Sequence, residues 1–182
     1  NCCSMDLEMK KSSIVIPVYY NELSLSLLFN SLLALAAKLK EKGVEIELIF
    51  VDDGSGDASF LELLKIKSQR SATKIIKHSR NFGSIRAIKT GFRFATGDCF
   101  TFLAADLQDP PQLIEQMVDR WLNGAKYITC VRAHRDDPLL SRVFSFLFYK
   151  LVNLFVIKDF PEGGYDLVLM DKIILPYLLQ SG

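Results

Sequence analysis

From Ser13 onward, short apolar runs alternate with longer segments in which apolar residues recur at every third or fourth position. The short runs have the length and β-branched content of buried strands, and the longer segments have the spacing of amphipathic helices. This alternation predicts the α/β class, with a largely parallel sheet and helices on both faces. The predicted strands are Ser13–Val18, Glu45–Val51, Thr73–His78, Cys99–Leu103 and Lys126–Val131, and the predicted helices are Ser24–Lys42, Ala58–Arg70, Ser84–Ala95 and Pro111–Asn123.

A polar cluster follows each of the first four predicted strands. Parallel strands end at the same edge of a sheet, and ligands of open α/β sheets bind just outside the carboxyl ends of the strands. We therefore expect the four clusters to lie side by side and to line one site. They span residues 17–22, 52–57, 80–83 and 104–111.

The fourth cluster contains candidate metal ligands. Asp106 and Gln108 offer a carboxylate and an amide carbonyl, hard oxygen ligands that suit Mg²⁺ or Mn²⁺, and these ions usually accompany phosphates. The cluster therefore predicts a nucleotide-diphosphate site. Asp109-Pro110-Pro111 also has the pattern of a helix start, with Asp109 as the N-cap. We expect this end to start a helix while the Asp106–Gln108 end faces a ligand.

The second cluster is rich in glycine and acidic residues. It is not a dinucleotide fingerprint, because no G-x-G-x-x-G follows the first strand, and it is not a P-loop, because no Gly-Lys-Ser/Thr follows. Its carboxylates are suited to accept hydrogen bonds from a base or a ribose. An ordinary turn with Asp57 capping the next helix explains Gly54–Asp57 equally well, but it does not explain the paired Asp52 and Asp53.

Composition limits the partners. A chain of 182 residues with 49% hydrophobic residues can bury one sizeable core, so we expect one domain over residues 13–182 and an N-terminal tail over residues 1–12, with 1–4 a candidate cloning remnant. The net charge of +1 gives no indication of a nucleic-acid partner. The four cysteines lack metal-site or disulfide spacing, which favours a reducing, cytosolic setting. Because the first residues are polar, we expect no signal peptide; homo-oligomer formation is left open.

Five motifs follow one another in a fixed order along the chain. They are Ile16–Glu22, Val51–Ser55, Arg80–Gly83, Gly91 with Ala95–Asp98, and Ala105–Pro111. Together they resemble the inverting family 2 glycosyltransferases of GT-A fold, and in particular the branch that uses polyprenyl phosphates, such as dolichyl-phosphate mannose synthases and bactoprenyl-phosphate glucosyltransferases. The resemblance extends from Ser13 to Leu179, and it implies a UDP- or GDP-sugar as donor and a lipid phosphate as acceptor.

The resemblance also implies roles for single residues in the donor site. Asp52 would hydrogen-bond the base, Asp53 would lie beside the ribose and diphosphate, and Asp106 with Gln108 would hold Mg²⁺ or Mn²⁺. Such a metal neutralises the charge that develops on the departing nucleoside diphosphate. The residues expected to border the nucleotide are Pro17, Tyr19, Asn21, Glu22, Asn81 and Gly83.

One departure from the family concerns the metal. The family often has Asp-x-Asp where this chain has Ala104-Ala105-Asp106, so the first carboxylate is missing. Mg²⁺ retains waters and takes oxygens from substrate phosphates. We therefore expect a metal site that the nucleotide completes.

The acceptor side falls in the last third of the chain. Arg132 and Arg135 are suited to grip an anionic phosphate, whereas Arg142 is better explained as an ordinary surface charge. Asp166 lies in a stretch that resembles a family segment after the acceptor loop and is assigned to the catalytic site together with Asp106. A sugar hydroxyl as acceptor would instead need a general base, for which Asp136, Asp137 and Asp166 are equal candidates.

The segment Leu139–Ile157 has two interpretations. It is long enough to span a bilayer but is interrupted by Arg142, Lys150 and Asn153, so it is either an interfacial helix or a buried helix against the sheet. Arg132 and Arg135 favour the interfacial helix, at the cytoplasmic face of the membrane. The resemblance implies membrane-spanning helices beyond Gly182 in a longer protein.

Two other functions stay open at this stage. A sugar-to-sugar transferase of cell-surface polysaccharide synthesis would use the same donor site with a different acceptor. A nucleotide-binding module that has lost activity is the alternative that Ala104 supports.

Overall fold

The computed structural model describes residues 9–130 and 167–180. Its strands are β1 (Lys10–Val18), β2 (Val44–Asp52), β3 (Lys74–Lys77), β4 (Cys99–Phe102), β5 (Tyr127–Cys130) and β6 (Leu167–Asp171). They form one six-stranded sheet in the order β3-β2-β1-β4-β6-β5. β1, β2, β3 and β4 run parallel, and β6 pairs antiparallel with both β4 and β5. The sheet is thus mixed but mostly parallel.

Helices cover both faces of this sheet, because side chains of a strand alternate between its two faces. Ile14 and Ile16 of β1 belong to an apolar cluster with three helices, whereas Val15 belongs to a second cluster with the other two. On the first face lie α1 (Leu25–Glu41), α2 (Ser59–Gln69) and α4 (Gln112–Leu122), and on the second lie α3 (Ser84–Arg93) and α5 (Leu175–Gln180), which follows a 3₁₀ turn at Lys172–Ile174. The predicted α/β fold is confirmed.

The five predicted strands and four predicted helices are all present, with ends displaced by a few residues. β1 begins at Lys10 rather than Ser13, because Lys10–Ser12 pair with Val44–Ile46 of β2. Neither β6 nor α5 was predicted. The predicted N-cap at Asp109 is wrong, because α4 begins at Gln112 after Pro111.

Within the described ranges, no helix has the length and apolar character that crossing a bilayer requires. The predicted helix at 139–157 lies outside the described residues. So do the acceptor-side residues Arg132, Arg135 and Asp166.

Candidate active site

A cleft of about 280 Å³ opens at the carboxyl ends of β1, β2 and β4 and at the start of α3. Each of the four predicted polar clusters contributes to its wall. The carboxyl ends of parallel strands therefore converge in the way that the sequence predicts. The lining residues are Pro17, Val18, Tyr19, Asn21, Asp53, Asn81, Gly83, Ser84, Ala104, Ala105 and Asp106.

The first wall is the loop between β1 and α1. The Tyr19 backbone N–H donates to Asn21 Oδ1 at 2.9 Å, and the Asn21 N–H donates to Ser59 Oγ at 2.8 Å. The side chain of Asn21 is thus held within its own loop, and the loop is tied to the start of α2. Glu22 does not line the cleft: its Oε2 accepts the N–H of Ala58 at 2.8 Å, just before α2.

Tyr19 and Tyr20 form an aromatic pair at the mouth of the cleft. Their rings meet edge to face, with centroids 4.7 Å apart, and both side chains are about half exposed. Tyr20 has a left-handed backbone (φ 55°), and its N–H donates to Ser55 Oγ at 3.2 Å. A Cβ atom at Gly56 would lie 2.6 Å from the Tyr20 hydroxyl. The pair therefore closes against the loop that follows β2, and glycine at 56 permits the contact.

Asp52 lies behind the cleft wall at the end of β2. Its side chain is fully buried, and its Oδ1 accepts the Ser55 N–H at 3.1 Å. Its Oδ2 is buried and has no hydrogen-bond partner among the described residues. An unpaired buried carboxylate oxygen is costly, and such atoms are uncommon in folded proteins.

Asp53 lines the cleft, but its carboxylate binds the protein. Oδ1 accepts the Phe82 N–H at 2.9 Å and lies 2.7 Å from His78 Nδ1, and Oδ2 accepts the Gly83 N–H at 2.8 Å. Burial tends to raise the pKa of Asp53, but the hydrogen bonds from His78, Phe82 and Gly83 outweigh it and lower the pKa. Asp53 is therefore an ionised anchor for the third cluster.

His78 is a site residue that the sequence analysis missed. Its Nε2 lies 3.1 Å from Thr90 Oγ1, so the ring bridges Asp53 and α3. No sequence motif identifies it, because its place follows from the strand pairing: Asp52 pairs with Lys77 across the parallel strands β2 and β3. The next residue on each strand, Asp53 and His78, is therefore expected to be adjacent.

Gly54 allows the second and third clusters to touch. It has φ +75°, which disfavours residues with a Cβ atom, and a Cβ there would lie 2.6 Å from the Arg80 carbonyl carbon. Both constraints require glycine at this position. Asn81 completes the turn, because its Oδ1 also accepts the Gly83 N–H at 2.9 Å.

The fourth cluster separates the two predicted metal ligands. Asp106 is exposed at the cleft, whereas Gln108 lines a neighbouring pocket of about 440 Å³ with Arg120 and Thr129. The Gln108 N–H donates to Asp106 Oδ1 at 3.2 Å, around a left-handed Leu107 (φ 64°). The described part of the chain contains no group of three His, Cys, Asp or Glu side chains placed to hold a metal ion. Asp106 is thus the exposed carboxylate of the cleft.

Comparison with known proteins identifies the class to which this fold and cleft belong. The sequence model of glycosyl transferase family 2 matches residues 13–163, and the chain belongs to that family. Its fold is the GT-A fold of glycosyltransferases.

Among its relatives, an undecaprenyl-phosphate 4-deoxy-4-formamido-L-arabinose transferase of Pectobacterium atrosepticum is 38% identical over 161 residues, which are 87% of this chain and 47% of the relative. An uncharacterized glycosyltransferase of Synechocystis is 34% identical over 169 residues, 92% of this chain and 52% of the relative. The chain spans about half the length of these curated relatives.

Solved structures agree in fold. A mannosyltransferase from Pyrobaculum calidifontis in complex with GDP-Man and Mn²⁺ has a TM-score of 0.61 at 15% identity, covering 93% of this chain and 46% of its own. The glucosyl-3-phosphoglycerate synthase of Mycobacterium tuberculosis, in complex with Mn²⁺, UDP and glucosyl-3-phosphoglycerate, has a TM-score of 0.60 at 16% identity. The match covers 91% of this chain and 58% of the synthase chain. At this identity the likeness establishes the fold alone.

Proposed function

We propose that the protein transfers a sugar from a UDP- or GDP-sugar to a polyprenyl phosphate, with inversion at the anomeric carbon, at the cytoplasmic face of the membrane. The binding of a nucleotide-sugar donor is supported by one observation: all four strand-end clusters line a single cleft, and Asp106 is exposed in it. The acceptor half is supported by the name of the Pectobacterium relative, whose acceptor is undecaprenyl phosphate.

In this proposal the nucleotide lies along the cleft between the first and third clusters. Tyr19, about half exposed, offers an aromatic surface to the base, and Asn81 and Gly83 border the ribose and phosphates. Asp52 remains the proposed base contact although it is buried behind the cleft wall: its Oδ2 has no donor among the described residues, and it would meet the base only if the wall opens. Asp53 serves the nucleotide by fixing the backbone of Phe82 and Gly83.

The residues of the cleft fit a divalent metal only in part. Asp106 supplies one exposed hard oxygen ligand, and Asp53 is unsuited because both of its oxygens already accept hydrogen bonds from the protein. Mg²⁺ and Mn²⁺ are commonly held by one or two carboxylates together with phosphate oxygens and water. Asp106 would therefore hold the ion jointly with the donor diphosphate, and the ion would stabilise the charge of the leaving nucleoside diphosphate.

The acceptor phosphate needs positioning more than deprotonation, because it is already anionic. In the proposed reaction its oxygen forms a bond to the anomeric carbon while the bond from that carbon to the diphosphate breaks. Arg132 and Arg135 would orient the phosphate, and Asp166 would line the acceptor side. A segment at 139–157 in the membrane interface would keep the lipid tail in the bilayer.

The test is turnover of UDP- and GDP-sugars with a short polyprenyl phosphate as acceptor. We expect transfer that requires Mg²⁺ or Mn²⁺ and a fall of at least about 100-fold in kcat for Asp106→Asn, since the metal contributes several kcal/mol to the transition state. The control is Asp109→Asn, because Asp109 lines the neighbouring pocket and not the cleft. Transfer to free sugars but not to the lipid phosphate would show that the acceptor is a sugar and not a polyprenyl phosphate. Full activity of the Asp106→Asn variant would show that Asp106 does not hold the metal ion.

A further inference from the structure

The charge of this chain is unevenly distributed. Residues 70–97 contain seven Lys and Arg residues and no Asp or Glu, although the whole chain has a net charge of only +1. The rest of the chain therefore has fifteen basic and twenty-one acidic residues, a net charge of −6. The near-neutral total conceals a strongly basic segment that forms β3, α3 and their connection. The seven basic residues are Arg70, Lys74, Lys77, Arg80, Arg86, Lys89 and Arg93.

Several of these basic side chains form contacts within the protein. Lys74 forms an ion pair with Glu47 at 2.7 Å, an Arg70 guanidinium nitrogen donates to the Ile46 carbonyl at 2.5 Å, and Lys77 lies 4.1 Å from the centre of the Phe60 ring. Arg86 and Arg93 differ: the side chain of neither one forms a hydrogen bond or an ion pair in the structure as described. Their charges are therefore available to a partner.

The two arginines lie on the outer face of α3. They are seven residues apart, which is close to two turns, and both are exposed. The buried residues Ala87 and Gly91 occupy the opposite face of the helix, against the sheet. Arg80 is also exposed, just before the helix. The outer face of α3 is thus a basic stripe.

Apolar surface lies directly beside this stripe. Ile85 is 72% exposed, and it borders a groove of about 420 Å³ between α3 and α5. The groove is lined mainly by apolar side chains such as Ile88, Met170 and Leu178, with Lys89 at its edge. Cations next to exposed apolar side chains are the combination that binds anionic lipid, because the cations meet headgroups and the apolar groups enter the acyl boundary.

We propose that the α3 surface, defined as Arg80, Ile85, Arg86, Lys89 and Arg93, docks on an anionic phospholipid membrane. This rests on the membrane location in the proposed function and adds the surface that docks, which depends on charge and not on the acceptor. Ser84 lines the cleft and Arg86 follows within one turn, while the ten residues of α3 extend for about 15 Å. A membrane in contact with this surface therefore reaches the rim of the cleft.

The experiment is co-sedimentation of the 182-residue chain with vesicles of phosphatidylcholine, with or without phosphatidylglycerol. We expect binding only to the anionic vesicles, weaker as salt is raised well above about 0.1 M. A basic residue near an anionic surface contributes about fivefold in affinity, so Arg86→Glu/Arg93→Glu is expected to weaken binding by at least about 25-fold. The variant removes no side-chain hydrogen bond or ion pair within the described part of the protein, and its nucleotide affinity by calorimetry is expected to stay unchanged.

The matched control is Lys40→Glu/Arg120→Glu, which alters the net charge equally on exposed positions of α1 and α4, on the opposite face of the sheet. We expect it to bind anionic vesicles nearly as well as the unmodified chain. The proposal is overturned by equal loss in both variants, by no loss in the α3 variant, or by equal binding to neutral vesicles. Salt-sensitive binding to an oligonucleotide without vesicle binding would also overturn it. Sugar transfer is not needed for any of these readouts, so failure of the proposed activity leaves them interpretable.

Discussion

Asp53 shows how one residue can serve a binding cleft without offering its charge to the ligand. Its oxygens accept two backbone N–H groups of the third cluster and contact His78, which in turn contacts Thr90 of α3. The backbone at Phe82 and Gly83 is thereby held against the end of β2. In a cleft built from loops, such an anchor determines how well the loop is preorganised for a ligand.

We expect Asp53→Asn to weaken nucleotide binding by at least about tenfold, because an amide group can replace only one of the two acceptor oxygens and its NH₂ faces donors. Hydrogen bonds to a charged group contribute about 1.5–3 kcal/mol, so a loss of about 2 kcal/mol in the free energy of unfolding is also expected. Calorimetry with UDP and GDP and urea unfolding measure the two effects.

The control is Asp119→Asn on α4, a carboxylate that pairs with Lys42 at the surface. His78→Asn is expected to give an intermediate loss of affinity, because the Phe82 and Gly83 contacts to Asp53 remain. Unchanged nucleotide binding in Asp53→Asn would mean that the third cluster holds its shape without the anchor.

At the scale of elements, Glu47 joins four parts of the fold at a distance from the cleft. Its carboxylate accepts from Ser13 Oγ of β1 at 2.6 Å and from both the N–H and Oγ1 of Thr96 at 2.8 Å, and it pairs with Lys74 of β3. Burial tends to raise the pKa of Glu47, but the hydrogen bonds from Lys74, Ser13 and Thr96 lower it to about 2.

We expect this group to make stability depend on pH in the acid range. Because the pKa is lowered in the folded state, its contribution is complete above the ordinary value of 4.5 and is lost as the pH falls towards 2. The shift corresponds to about 3 kcal/mol. Urea unfolding of the unmodified chain and of Glu47→Gln between pH 6 and about pH 2.5 measures it.

The Glu47→Gln variant is expected to be less stable at neutral pH and to lose this part of the acid dependence, so that the two curves converge at low pH. Glu62→Gln provides a control, because this partly exposed carboxylate of α2 pairs with Lys65 of its own helix, and the variant is expected to follow the unmodified chain. Parallel curves for Glu47→Gln and the unmodified chain would assign the acid dependence to other carboxylates.

At the scale of the whole molecule, β6 closes the sheet. It is buried along its full length and lies between β4 and β5, and within the described residues β5 has no other strand partner. Leu167 and Leu169 pack into one apolar cluster and Val168 and Met170 into the other. A strand late in the chain thus completes both halves of the core.

We expect a chain that ends at Cys130 to lose cooperative folding, because it lacks β6 and exposes β4 and β5 as unpaired edges. A chain that ends at Ile174 lacks only α5 and is expected to fold with reduced stability. Circular dichroism melts and urea unfolding distinguish the two. Cooperative unfolding of the shorter chain would show that the parallel strands alone form the folding unit.

Strands β1 to β5 and helices α1 to α4 could be predicted because their periodicity is local. Ile14, Val15 and Ile16 alternate between faces within one strand, and the buried positions of α1 recur at helical spacing, so a window of a few residues contains the signal. The convergence of the four clusters followed from the same local information, because parallel strands must end at one edge.

The remaining features depend on pairings between distant residues. His78 could be placed beside Asp53 only once β2 and β3 were known to be neighbours, and Gln108 was separated from Asp106 by a left-handed turn at Leu107 that its sequence does not require. The basic stripe of α3 was invisible in a net charge of +1, since only the fold shows which cations are paired.

The sequence by itself therefore determined the order of β1 to β5 and α1 to α4 and the family to which the chain belongs, because these are encoded in neighbouring residues and ordered motifs. Only the tertiary structure decided that β6 enters antiparallel between β4 and β5, that Asp53 binds the protein, and which charges face outward. These depend on contacts between residues far apart in the chain, where no short pattern specifies a partner.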